Sequence, residues 1–230
     1  MKITSGKNPK IEGLIIKDLL QLKTYRKTLI SFIVIFSITP ILQYTGGGGT
    51  GIFNMLPIMI TLGFGMFSIA SFNYDEAAKA DRYIKSLPIS SKEIVLSKYI
   101  LTICATILGG ILGILLAFII SSIFAKEYDI EIIVQALGGI LGMSIVEAIQ
   151  IPCIYRFGAE KARMQIFLVM VILFVIGALL VGGLIYWVQR LDIETMKIEA
   201  LMPLIFAGFT ALVYKVSYNI SYKIYEKKEF

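Results

Sequence analysis

Apolar residues run through this chain in long blocks, separated by short polar stretches that hold most of its charge. Several blocks approach or exceed the roughly 18 to 20 residues a helix needs to cross a bilayer. The pattern predicts six crossings, at 28–44, 52–72, 99–124, 132–155, 164–188 and 200–220. Pro40 lies near the far end of the first, and Pro57 and Pro203 sit near the starts of the second and sixth, where a helix accepts proline. The connectors are a glycine-rich turn at 46–51, a polar segment at 73–98, an acidic turn at 125–131, a basic loop at 156–163 and a polar loop at 189–199. The expected fold is an all-α integral membrane protein with one six-helix domain, 28–220, and a polar tail, 221–230.

The N-terminal segment, 1–27, follows a different period. Between Lys10 and Lys27 the apolar residues Ile11, Leu14, Ile15, Leu19 and Leu22 recur at helical spacing, with Lys17, Asp18, Lys23 and Arg26 among them. That stripe predicts an amphipathic helix on the membrane surface in place of a simple extension of the first crossing. The first 28 residues do not read as a secretory signal peptide, having no n-region, h-region and cleavage site in order.

Charge assigns the sides. Lysine and arginine cluster in 1–27, 73–98, 156–163 and the tail, eighteen in all, whereas Lys126, Arg190 and Lys197 alone occupy the alternate connectors. Basic connectors stay in the cytosol. Both termini are therefore expected there, which requires an even number of crossings.

Composition agrees: 57% of residues are hydrophobic and 17% charged, against about 45–50% and about 25% in soluble domains. The net charge of +6 is carried beside membrane crossings, a pattern suited to anionic lipid, and no basic soluble domain exists to hold nucleic acid. Cys104 and Cys153 fall inside apolar blocks and read as small buried side chains.

Catalytic chemistry finds little support. There is no histidine, which excludes imidazole-based hydrolysis and metal sites. Gly46–Gly49 with Thr50 and Gly51 superficially resembles a phosphate loop, but it lacks the lysine of that motif and reads as a flexible turn on the outer side. No catalytic residue, metal ligand or cofactor site is expected in this chain.

Glu147 is the one carboxylate deep within a predicted crossing, on a helix face with Ser144 and Gln150. Nine residues separate it from Arg156, about 13 Å along a helix. A polar structural contact and a proton- or substrate-handling role are both open to it. The pentapeptide Gly-Gly-Ile-Leu-Gly occurs twice, ending in Gly109-x-x-x-Gly113 and Gly138-x-x-x-Gly142 spacings. Such small-residue pairs let backbones approach, so the third and fourth crossings are expected to pack through them as a hairpin.

The 73–98 segment is the most informative. Tyr74, Asp75 and Glu76 are expected to open a short helix, with Lys79, Arg82 and Lys85 toward its C-terminus and Ile84 and Leu87 as apolar contacts. Leu87-Pro88 ends it, and Ser90-x-x-Glu93 reads as a capping box restarting a helix into the third crossing. A short cytosolic helix of this kind suits a groove on a soluble partner.

The stretches Phe72–Glu76, Asp81–Tyr83, Ser86–Ser90, Lys92–Val95 and Ser97–Tyr99 together resemble the first cytosolic loop of ABC-2-type transporter permeases. Tyr155–Arg163 resembles their second loop in one bacterial branch, and the permeases of the phenol-soluble modulin exporter are similar. With the N-terminal helix and the six crossings, the resemblance spans nearly the whole chain. It implies a bacterial plasma-membrane exporter subunit that pairs with a second permease, identical or homologous, and with two copies of a separate ABC ATPase that bind ATP and magnesium. The helix from Asp75 to Leu87 would be the coupling helix, with Arg156, Glu160, Lys161 and Arg163 beside it. Amphipathic or hydrophobic peptides are the implied cargo. Larger members carry re-entrant helices between the last two crossings, and 189–199 is too short for most of that. A stand-alone proton-coupled transporter or immunity-type membrane protein using Glu147 is the alternative.

Overall fold

Long apolar segments keep their backbone hydrogen bonds internal when they coil, and helices result throughout. The computed structural model describes residues 9–124, 131–162 and 195–228, with Val171 and Gly183 as isolated positions. Among these every regular element is helical. Helix α1 (Pro9–Leu22) passes through a 3-10 turn (Lys23–Tyr25) into α2 (Arg26–Thr45). A second 3-10 stretch (Thr50–Met55) precedes α3 (Leu56–Ala77), α4 (Ala80–Ser86), α5 (Ser91–Phe124) and α6 (Glu131–Phe157); α7 is Thr195–Lys227. Four helical segments among the described residues are long and apolar enough to cross a membrane: Pro9–Thr45, Thr50–Ala77, Ser91–Phe124 and Glu131–Phe157. The expected crossing at 164–188 lies outside the described residues, as do 1–8 and most of 125–131 and 189–199.

Helix α3 packs along α5 and against α6, while α7 lies on α6 and α1 crosses α3 and α5. The outward faces are as apolar as the interior. Ile107, Ile111, Leu115 and Ile119, spaced one turn apart on α5, are all exposed. That surface would be insoluble in water and is suited to lipid. Two apolar clusters divide the interior. One, around Phe53, Leu56, Ala117, Ile120 and Ile132, lies at the glycine-turn end. The other gathers Leu14, Phe72, Ile84, Val95, Ile151, Tyr155 and Tyr225 at the basic end.

Sequence signals set several boundaries. The capping box forms as read: the Glu93 carboxylate accepts the Ser90 backbone N–H and hydroxyl, both at 2.9 Å, and the Glu93 N–H donates to Ser90 Oγ at 3.3 Å. Gly47 has φ +96°, a left-handed geometry that lets the 46–51 turn reverse the chain. Tyr44 and Phe53 close that turn with ring centroids 5.2 Å apart.

Two expectations need correction. The helix of the second crossing does not stop at Phe72; α3 continues through Ala77, so Tyr74, Asp75 and Glu76 end a long helix and do not open a short one. The break comes at Lys79, held at φ +50°, and the short helix begins at Ala80. Continuation past Phe72 is possible because Asp75, buried on the inner face, meets lysines from α1 and α5.

The polar tail, 221–230, continues α7 as helix to Lys227. Thr210, Ser217, Ser221 and Tyr225 recur on one buried face, and the helix persists because that polar stripe has internal partners.

The glycines pair differently as well. Cβ atoms at Gly109 and Gly113 would meet α3, at Thr61 Cα (3.1 Å) and Pro57 Cα (2.6 Å), not α6. Gly138 and Gly142 have open space about them; the adjacent Gly139 is the α6 glycine that meets α3, 3.1 Å from Ile58 Cα. The inward stripe of α6 runs through Ile132, Ala136, Gly139, Met143 and Glu147, which turns Gly138 and Gly142 outward.

Helix α1 divides its apolar residues between the bundle and the outside. Leu14 and Asp18 face inward, whereas Leu19 is 53% exposed beside exposed Ile16 and Leu20.

Candidate functional site

The basic end of the bundle is where α1, the α3–α4 junction, the start of α5 and the ends of α6 and α7 meet. Helix α4 has seven residues, too few to be stable in isolation, so tertiary anchors must hold it. Ile84 is its buried anchor, packed in the apolar cluster of this end. Lys85 donates to the Lys228 carbonyl at 2.5 Å and lies over the Tyr225 ring. Leu87 turns extended ahead of Pro88, as the residue before proline must. From α1, Lys10 reaches the Pro88 carbonyl at 2.7 Å. Held this way, α4 presents Tyr83, 70% exposed, to the outside.

A second loop is fastened beside it. The Glu76 carboxylate accepts the Ala159 backbone N–H. Gly158 between α6 and that amide has φ +85°, and a Cβ there would come within 2.6 Å of Glu76 Oε1. Only glycine satisfies both conditions. Phe157 is 41% exposed, with the Arg156 guanidinium over its ring; Glu160 and Lys161 are exposed too. The α4 segment and this loop thus both border the basic end of the bundle, where Ile84 and Gly158 line one cavity, and each carries an exposed aromatic, Tyr83 and Phe157; this end is the candidate docking face.

The residues expected to contact a partner divide into two groups. Lys79 and Lys85 are exposed, Tyr74 and Leu87 partly so. Asp75 and Ile84 are buried and act as internal supports, and Glu76 is occupied with the second loop. The Arg82 side chain and Arg163 lie outside the described residues. Tyr83 and Phe157, absent from the expected set, are the exposed aromatics that distinguish this face. A large apolar residue beside a predicted coupling helix was the available signal.

Beneath the face lies a cluster of four charges. The Lys98 ammonium is 2.9 Å from Asp18 Oδ1, 2.6 Å from Asp75 Oδ2 and 3.2 Å from Ser71 Oγ, and it sits over the Phe72 ring. Lys17 contacts the same two carboxylates at 3.1 and 2.7 Å, and Gln21 donates to Asp75 at 3.1 Å. Two positive charges meet two negative ones, so the cluster is neutral. Such pairing is what lets ionised groups lie buried.

Deeper in the bundle Glu147 is fully enclosed. Thr106 of α5 donates to Oε1 at 2.5 Å and Tyr214 of α7 to Oε2 at 2.7 Å. The seam continues as Ser217 donates to the Ala148 carbonyl and the Tyr99 hydroxyl meets Ser217 and Ser221 at 2.5 and 2.8 Å. Both carboxylate oxygens being occupied, Glu147 ties three helices together. Gln150, one turn on, is only partly buried.

Against known protein families, the model described as ABC-2 family transporter protein matches residues 13–226. No curated protein matches the chain.

Proposed function

The chain belongs to the ABC-2 family of transporter proteins, and from that premise we propose that it is the permease of an ATP-driven exporter whose ATPase is a separate polypeptide. Membership itself makes it a multi-pass membrane component of an ABC transporter. The rest of the reading goes further: six crossings, both termini in the cytosol, a pathway formed with a second permease, and two ATPase subunits that bind ATP and magnesium.

The observation that carries the reading is the Glu76–Ala159 contact at the basic end, which fastens the second loop to the end of α3 just ahead of α4, with Tyr83 on α4 and Phe157 at the loop both exposed. Exposed aromatics ringed by charge are favoured anchors for a protein partner. The Glu76–Ala159 contact ties the two loops together, and a docked ATPase would push on both at once. The closed hydrogen bonding of Glu147 supports a structural role there and weighs against a self-contained proton carrier.

For cargo, amphipathic or hydrophobic peptides are the proposed class. The test is export of a dye-labelled amphipathic helical peptide from vesicles holding the chain with its ATPase. ATP-dependent efflux is expected; efflux driven by a pH gradient without ATP would overturn the reading.

A further inference from the structure

Three segments far apart in sequence contribute to the buried charge cluster: Lys17, Asp18 and Gln21 from α1, Ser71 and Asp75 from α3, and Lys98 from α5. The Lys98 ammonium has three protons and three oxygen partners, so its donors are all used and its position is fixed. Its side chain is 6% exposed, those of Asp18 and Asp75 1% and 7%. Water competes weakly for such groups, and the geometry is correspondingly stiff.

Helix α1 has another attachment about two turns earlier, where Lys10 holds the Pro88 carbonyl just behind α4. It is therefore bound to the mobile-facing loop at one point and to the bundle at another. Directly under α4 is a cavity of about 70 Å³, lined by Leu14, Asp18, Phe72, Ile84, Lys98 and Gly158. On its wall Asp18 Oδ2 is buried without a hydrogen-bond partner among the described residues. A shift of α4 has space here, and the charged residues of α1 form the wall it would press on.

We propose that Lys98 is a positioning residue: with Asp18, Asp75 and Lys17 it locks α1, α3 and α5 into one rigid unit. Displacement of the α4 segment by the ATPase is then delivered to the bundle and is not dissipated at the Lys79 bend. The driving force rests on the exporter reading; the joint itself does not. Rigid elements with discrete arrangements are what carry coupling between distant sites.

The experiment places spin labels at Gly13→Cys on α1 and Gly49→Cys in the outer turn, two positions with open space around them, in a Cys104→Ser, Cys153→Ser chain. The full chain is studied in lipid nanodiscs, alone and with its ATPase plus ATP and vanadate. A single narrow distance distribution is expected, unmoved by nucleotide. Lys98→Met should broaden it at least twofold, while Lys98→Arg, which keeps the positive charge between Asp18 and Asp75, leaves it narrow. An unbroadened Lys98→Met, or a wild-type distance that shifts with nucleotide, would overturn the joint. Failure of any ATPase to bind would instead count against the exporter reading, because the broadening is read from the chain alone.

Discussion

The Lys98 ammonium lies 2.9 Å from Asp18 Oδ1, across 80 residues of sequence, with both side chains almost closed to the surface. This ion pair joins the N-terminal helix to the start of α5, and everything at the basic end is arranged around it.

Removing one member strands the others. Lys98→Met leaves two buried carboxylates sharing Lys17, and a loss of about 3–5 kcal/mol is expected. Replacing Asp18 by Asn in the same chain should restore part of that, since the stranded charge goes too. Thermal unfolding in detergent compares the single and double variants; additive losses would show that the two side chains do not act together.

Glycine positions give a sharp contrast. Gly113→Ala drives a methyl into Pro57 Cα, which is backbone and cannot rotate away, so α3 and α5 must separate. An overpacking loss of about 1–3 kcal/mol is expected. Gly138→Ala and Gly142→Ala meet nothing within 4 Å among the described residues and should leave the melting temperature unchanged or slightly raised.

Glu147→Gln should be nearly silent. A carboxamide can accept one hydroxyl and donate to the other, so the contacts to Thr106 and Tyr214 survive in altered polarity. Glu147→Ala loses both and leaves a void, with an expected loss of about 2–4 kcal/mol. Expression and melting temperature read the stability. Loss of transport in a normally assembled Glu147→Gln protein would contradict the structural role.

Gly158→Ala sets a left-handed backbone against a Cβ and pushes into Glu76 Oε1. The Glu76–Ala159 contact should break while the helices stay folded. Hydrogen exchange is expected to rise at least tenfold over residues 157–162 and to stay unchanged in α5.

Much of this was legible in sequence. Uninterrupted apolar blocks announced the long helices, Ser90 and Glu93 announced the start of α5, and Leu87-Pro88 announced the end of α4. What hydropathy misses is a helix that buries polar groups. Asp75 made α3 appear to stop early, and nothing in the sequence showed what the stripe Thr210, Ser217, Ser221, Tyr225 packs against, because partners such as Tyr99 and Lys98 come from distant segments. A clue to the charge cluster was present: Asp18 stands one turn from Leu14, on the face of α1 that points inward. Its partner on α5 could not be chosen without the fold. The paired glycine motifs misled for a similar reason, since spacing identifies a small-residue face but not the helix it meets.

The central claim is that α4 couples this permease to an ATPase, and one measurement addresses it directly. The tagged chain is co-purified with candidate ABC ATPases from neighbouring genes, reconstituted in lipid, and assayed for ATP hydrolysis with wild-type and Tyr83→Pro α4. Proline at Ala80, the first residue of α4, would be tolerated, whereas at Tyr83 it breaks the helix at its centre. The account predicts a stable wild-type complex whose hydrolysis falls at least fivefold with Tyr83→Pro, in a protein that still inserts and melts cooperatively. An ATPase that does not bind, or hydrolysis unchanged by Tyr83→Pro, would contradict it.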